Sequence, residues 1–236
     1  MRRTLLCLAL ACAAPAAAQD AFLNMFNSAS QAALKGVGGS ITAAPKAPAA
    51  PATVKTLDFK SSPQVSQQVR ELFIKTLVDA GKKNGKVTPQ LEAQLRAEFN
   101  KIDIVKTYAQ ALEPKGFRMN NLATGVAVWL ITSFEILNDG REYTDAQNRK
   151  VYDQLASAMS ASPDVARMKD ADKQKMTELL LWMTAFQLND LAQAQAGVEG
   201  YSVEAVQAQA RDLLQTFRLD PAQLAITDQG LTRRGQ

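Results

Sequence analysis

Two stretches of this chain are apolar around most of a helical circumference, and they constrain what it can fold into. The first is NNLATGVAVWLITSFEILNDG, residues 120–140, and the second is ELLLWMTAFQL, residues 178–188. A helix that spans a bilayer needs about 20 apolar residues. The first stretch has only Leu122 to Leu137, broken by Thr132, Ser133 and Glu135, and the second is shorter. A charge at the middle of a membrane costs about 3 kcal/mol. Both segments therefore read as helices buried inside the protein.

Helices with so little polar surface need partners on every side, and the rest of the chain supplies them. Ser62-Pro63 has the form of an N-cap with proline in the first helical position, followed by Val65, Val69, Leu72, Phe73 and Leu77 at helical spacing up to Gly81. Thr88-Pro89 repeats the device for Leu91, Leu95 and Phe99, and a second piece carries Ile104, Tyr108 and Leu112. Asn120 or Asn121 caps the first apolar helix, which Asn138-Asp139-Gly140 ends. Further helices follow over Thr144–Met159, Asp170–Ala196 and Ser202–Phe217. No alternating strand pattern competes. The expected fold is all-α, a helical bundle of about six or seven helices around two central apolar ones, without a sheet.

The N-terminal region has a different character. Arg2 and Arg3, the apolar run Thr4–Ala14 and the small residues Ala16-Ala17-Ala18 form the three regions of a secretory signal peptide, 1–18, with cleavage between Ala18 and Gln19. A lipoprotein cut before Cys12 is the competing reading, disfavoured by bulky Leu10 and the short apolar run. Cleavage at Ala18 removes both cysteines, leaves no disulfide, and lowers the formal charge from +4 to +2 with the loss of Arg2 and Arg3. Residues 19–55 read as a leader: a short amphipathic segment, Ala21–Lys35, then a Gly/Ala/Pro-rich flexible tether, Gly36–Lys55, whose composition favours extended, unpacked chain. Residues 56–231 form the helical domain and 232–236 a loose tail. The expected localisation is periplasmic or secreted.

Several chemistries are excluded by composition. There is no histidine, so histidine-based nucleophile triads and histidine metal sites are out, and no thiol survives export. No phosphate-binding glycine loop or calcium loop is present, and no metal or cofactor is expected. Lysines and arginines are not interleaved with aromatics, so nucleic acid is not an expected partner. Trp129 and Trp182 lie in the two apolar helices and read as core, as do the scattered methionines. Arg118, just before the first apolar helix, could pair with Glu135 or Asp139.

Near the C-terminus, Asp220-Pro221 reads as the start of a short helical turn, Leu224 and Ile226 as docking residues and Gly230 as its end. Taken together, NNLATGVAVWLITSFEILN, LLLWMTAFQL and LLQTFRLDPAQLAITDQGL resemble a family of secreted proteobacterial proteins classed as a domain of unknown function. The similarity covers about Leu57 to Leu231. It implies an exported helical domain and brings no catalytic residues with it.

The remaining candidate site is a polar seam on the first apolar helix. Asn121, Thr124, Thr132, Glu135 and Asp139 fall near one line, interrupted only by Val128. The favoured reading is the helix's contact with water; the alternative is a groove in which Glu135 holds a cationic or hydroxyl-bearing ligand. Three functional classes remain open. The first is a non-catalytic binding or structural module of the cell envelope, with an envelope protein or small ligand as partner. The second is a carboxylate-dependent enzyme acting on cell-wall glycan. The third is a membrane-surface protein held through Phe22–Leu34. Intact mass of the exported protein tests the first boundary: the mature chain is expected to begin at Gln19, and an uncleaved or lipid-modified chain would refute it.

Overall fold

The computed structural model describes residues 31, 34–36, 38–39, 57–83, 85 and 87–235. The signal peptide, most of the Ala21–Lys35 segment and residues 40–55 of the tether lie outside these. Among the described residues the architecture is a helical bundle with one small hairpin: α1 (Pro63–Lys83), α2 (Pro89–Asn100), α3 (Ile104–Leu112), a 3-10 turn (Glu113–Lys115), α4 (Leu122–Leu137), α5 (Asp145–Ser160), a single turn α6 (Pro163–Ala166), α7 (Asp170–Gln195), α8 (Val203–Thr216), β1 (Leu224–Thr227) and β2 (Gly230–Arg233).

Local chemistry sets the helix starts. The side chains of Thr88, Asp103, Asn121 and Ser202 each accept a backbone N–H from the first turn of α2, α3, α4 and α8. Thr144 forms a complete capping box with Gln147 at α5. Gly81 does not end α1: it is buried within the last turn, and the helix runs on to Lys83.

The two apolar helices form the centre, as their sequences require. Every residue of α4 from Leu122 to Phe134 is buried. α4 packs most extensively on α7, and the two run in the same direction, with Gly125 against Thr177 and Gly140 against Leu191. α1 also runs parallel to α7, from the Ser62–Gln174 contact to the stacking of Phe73 on Trp182 at 5.3 Å. Phe99 of α2 and Phe186 complete this aromatic cluster. On the other side, α8 runs antiparallel to α4. Gln207, early in α8, donates to the Ile136 carbonyl, while Phe217, just after it, stands edge-on to Trp129 at 5.4 Å.

The C-terminal segment departs from the all-helical expectation. Asp220 does start a turn, its carboxylate accepting the Ala222 N–H, but Leu224–Thr227 then pairs antiparallel with Gly230–Arg233. The alternation in Leu-Ala-Ile-Thr is a strand pattern: Leu224 and Ile226 are buried, and Ala225 and Thr227 are half-buried. Gly230 begins β2 rather than ending a helix, and its positive φ of 94° closes the two-residue turn. Thr232 and Arg233 belong to β2, and Arg234 bonds back to the Gln223 carbonyl, so these residues are not a loose tail. The outer edge of β2 is covered by Gln154 of α5. Its amide accepts the Leu231 N–H at 2.7 Å and donates to the Leu231 carbonyl at 3.4 Å, taking the place of a third strand.

The described residues of the tether's first turn are also ordered. Gly36, Gly38 and Gly39 are helical, and Leu34 before them lies in the main core.

Gly125 is where α4 and α7 come closest through their backbones. A Cβ there would sit 2.8 Å from Thr177 Cα, against backbone that cannot yield. Gly125→Ala is expected to destabilise the protein by about 1–3 kcal/mol in chemical denaturation, despite the better helix propensity of alanine. A stabilising effect would mean that α4 and α7 are not in this contact.

Candidate functional site

The polar seam on α4 is resolved residue by residue. Asn121 is fully buried, its Oδ1 accepting the Ala123 N–H and its Nδ2 donating to Asp58 at 2.6 Å. Thr124 is fully buried and donates to the Arg118 carbonyl at 2.7 Å. Thr132 is buried beside them on the seam. Glu135 is half-buried and accepts the Tyr143 N–H at 3.3 Å. Asp139 is exposed, sits in the left-handed region with φ of 55°, and accepts from Gln207 at 2.9 Å. Only the last turn of the seam reaches water, so the solvent-face reading fails for Asn121, Thr124 and Thr132. The described partners of Asn121, Thr124, Glu135 and Asp139 bind the ends of α4 to their neighbours.

Arg118 pairs with neither Glu135 nor Asp139. It lies at the opposite end of α4, about 24 Å away along a sixteen-residue helix, and its guanidinium reaches Asp58 at 2.9 Å instead. Beside it, an open recess of about 490 Å³ is lined by Val105, Phe117, Arg118, Met119 and Asn120, with Ser61, Glu113 and Gly116. Apolar Phe117 and Met119 are buried in its floor and Arg118 and Glu113 stand exposed at its rim.

A second set of polar residues lies inside the bundle on α7. Gln174, 1% exposed, staples the start of α1: its Oε1 accepts the Ser62 N–H at 2.8 Å and its Nε2 donates to the Ser62 carbonyl at 2.9 Å. One turn on, Glu178, 2% exposed, accepts from Ser66 at 2.7 Å and from Gln174 at 2.8 Å. Burial pushes the Glu178 carboxyl above the usual range, and the two hydrogen bonds oppose the shift.

Further along, Gln187 and Asp190 are one turn apart on the same side of α7. Gln187 is 4% exposed, and neither of its amide atoms has a hydrogen-bond partner among the described residues. Asp190 is 9% exposed, and among the described residues its side-chain hydrogen bond comes from the Asn189 amide at 3.5 Å. Burial pushes the Asp190 carboxyl up to about 6, against a small opposing effect of Asn189. A buried amide left without partners costs about 1–3 kcal/mol.

Gln174, Glu178, Gln187 and Asp190 are absent from the sequence-derived site. The available signal was their position in a helix that is otherwise apolar on most sides, at spacings of four and three. Their number along α7 also explains why this helix shows no single polar face.

Over residues 2–234 the sequence matches the model of a family of unknown function, DUF6683. The chain belongs to that family. The match spans the helical bundle, the hairpin, the whole leader and all but Met1 of the stretch before it. No curated protein and no solved structure matches the chain. Among the described residues, no helix is long and apolar enough to cross a membrane, and no cluster of three acidic, histidine or cysteine residues could hold a metal ion.

Asp190 gives a pH-dependent test. Its folded-state value lies above the ordinary 3.8, so the folded protein holds this proton more tightly than the unfolded chain. Stability from this group is full below pH about 3.8 and is lost as pH rises to about 6. Asp190→Asn is expected to raise stability at pH 7 by about 1–3 kcal/mol and to change little at pH 3.5, as read by denaturant titration at both pH values. A destabilised variant at pH 7 would show that the carboxylate has a charged partner.

Proposed function

We propose that this protein is an exported, non-catalytic helical module of the cell envelope, which recognises a protein partner or small ligand there or has a structural role. Export rests on the arrangement of charge, apolar run and small residues over Met1–Ala18. Secretion by a proteobacterium is the corresponding expectation for the family.

The observation that carries the non-catalytic reading is the placement of the acidic groups. The deeply buried carboxylates, Glu178 and Asp190, sit on one helix, twelve residues and so about 18 Å apart. Glycoside hydrolysis by two acids needs carboxyls within about 10 Å, facing each other across the sugar. The acids of the α4 seam act within the fold, Glu135 on the Tyr143 N–H and Asp139 on Gln207. Together with the lack of histidine, this leaves acids on α4 that tie its C-terminal end to its neighbours and two on α7 too far apart to act on one bond.

Two assays on the mature protein test this proposal. With purified peptidoglycan it is expected to release no soluble fragments. With envelope extract, crosslinking is expected to give a discrete, saturable adduct. Release of glycan fragments that is lost in Glu178→Gln or Asp190→Asn would overturn the proposal in favour of a carboxylate enzyme.

A further inference from the structure

The run Gly36-Val37-Gly38-Gly39 has the composition of a flexible tether, yet its three described glycines differ in what surrounds them. A Cβ on Gly38 would lie 1.9 Å from the Phe217 carbonyl oxygen and 3.1 Å from its carbonyl carbon. A Cβ on Gly36 would meet nothing within 4 Å, and one on Gly39 only the tip of the Arg218 guanidinium at 3.9 Å. Only at Gly38 is a side chain forbidden by backbone. Glycine there permits close approach of two main chains.

The surface it approaches is a hydrogen-bonded helix end. Phe217 and Arg218 close α8 in a Schellman turn: the Leu219 N–H bonds to the Leu214 carbonyl and the Arg218 N–H to the Gln215 carbonyl, both at 2.9 Å. Arg218 takes the left-handed position with φ of 62°, where glycine is usual. The Phe217 ring is fully buried against Trp129 of the central helix. One turn before Gly38, Leu34 is 2% exposed and part of the main core.

We infer that Leu34–Gly36 with Gly38 and Gly39 act as a docking strap, an interaction element that the chain applies to its own bundle at the end of α8. Leu34 enters the core and Gly38 sets the strap's backbone on the Phe217 carbonyl. The folded unit therefore begins before the Pro-rich stretch, and residues 40–55 join two parts of one structure. The strap also buries Leu34, the last apolar residue of the Phe22–Leu34 series. A docked strap cannot offer that residue to a membrane surface.

The test uses the glycines against one another in the mature full-length chain. Lys35 is half-buried, and cleavage after it requires the strap to leave its site. Gly38→Ala is expected to accelerate tryptic cleavage at Lys35 at least ten-fold over wild type, while Gly39→Ala leaves it within two-fold, both followed by intact mass. Far-ultraviolet circular dichroism checks that each uncut variant keeps its helical signal. A second measurement does not depend on any variant folding: wild-type protein nicked at Lys46 or Lys55 is expected to keep its N-terminal piece through gel filtration. Equal Lys35 cleavage in the two variants, or separation of that piece from a core that stays helical, would overturn the strap.

Discussion

The backbone contact between α4 and α7 at Gly125 and Thr177 is the constraint from which the rest of the structure follows. It lets two helices that are apolar on most sides lie side by side and in the same direction. Parallel neighbours cannot be joined by a short loop. The chain must first return along α5 and turn through α6 before α7 begins. Once α4 and α7 are paired, each still has apolar flanks to cover. α1 and α2 close one side with the Phe73, Phe99, Trp182 and Phe186 cluster, and α8 closes another through Trp129 and Phe217. The bundle itself contains no cysteine, since Cys7 and Cys12 both precede it, so this packing holds it without a disulfide of its own.

The parts of the fold that could be read from the sequence are those set by short-range chemistry. Thr88, Asn121, Thr144 and Ser202 announce their helices because a capping side chain bonds within three residues of itself. The central pair was legible because neither could satisfy its apolar surface in water or in a bilayer. The hairpin was not, since a four-residue strand pair is marginal alone. Its second edge is completed by Gln154, about 77 positions away. Gly81 misled for a similar reason: packing around α1 outweighs the cost of glycine within a helix, about 1 kcal/mol.

The site was legible in part. A helical wheel places Asn121, Thr124, Thr132, Glu135 and Asp139 in one row, and they do share a row. It cannot say what faces that row, and the burial runs from complete at Asn121 to exposed at Asp139. The polar residues of α7 escaped because their partners are remote: Gln174 meets Ser62 across 112 positions, and Glu178 meets Ser66 across the same separation. Within α7 they interrupt an apolar helix at intervals too irregular to form a stripe.

The contact between Gly38 and Phe217 has a kinetic consequence. Its two sides are about 180 residues apart in sequence, but once the bundle has formed only the chain between Gly39 and Leu57 is left to close as a loop, so the contact can form last at little entropic cost. The bundle can assemble from neighbouring helices while this contact is still open. Phe217 would then wait with its carbonyl face uncovered until the N-terminal end comes back to it.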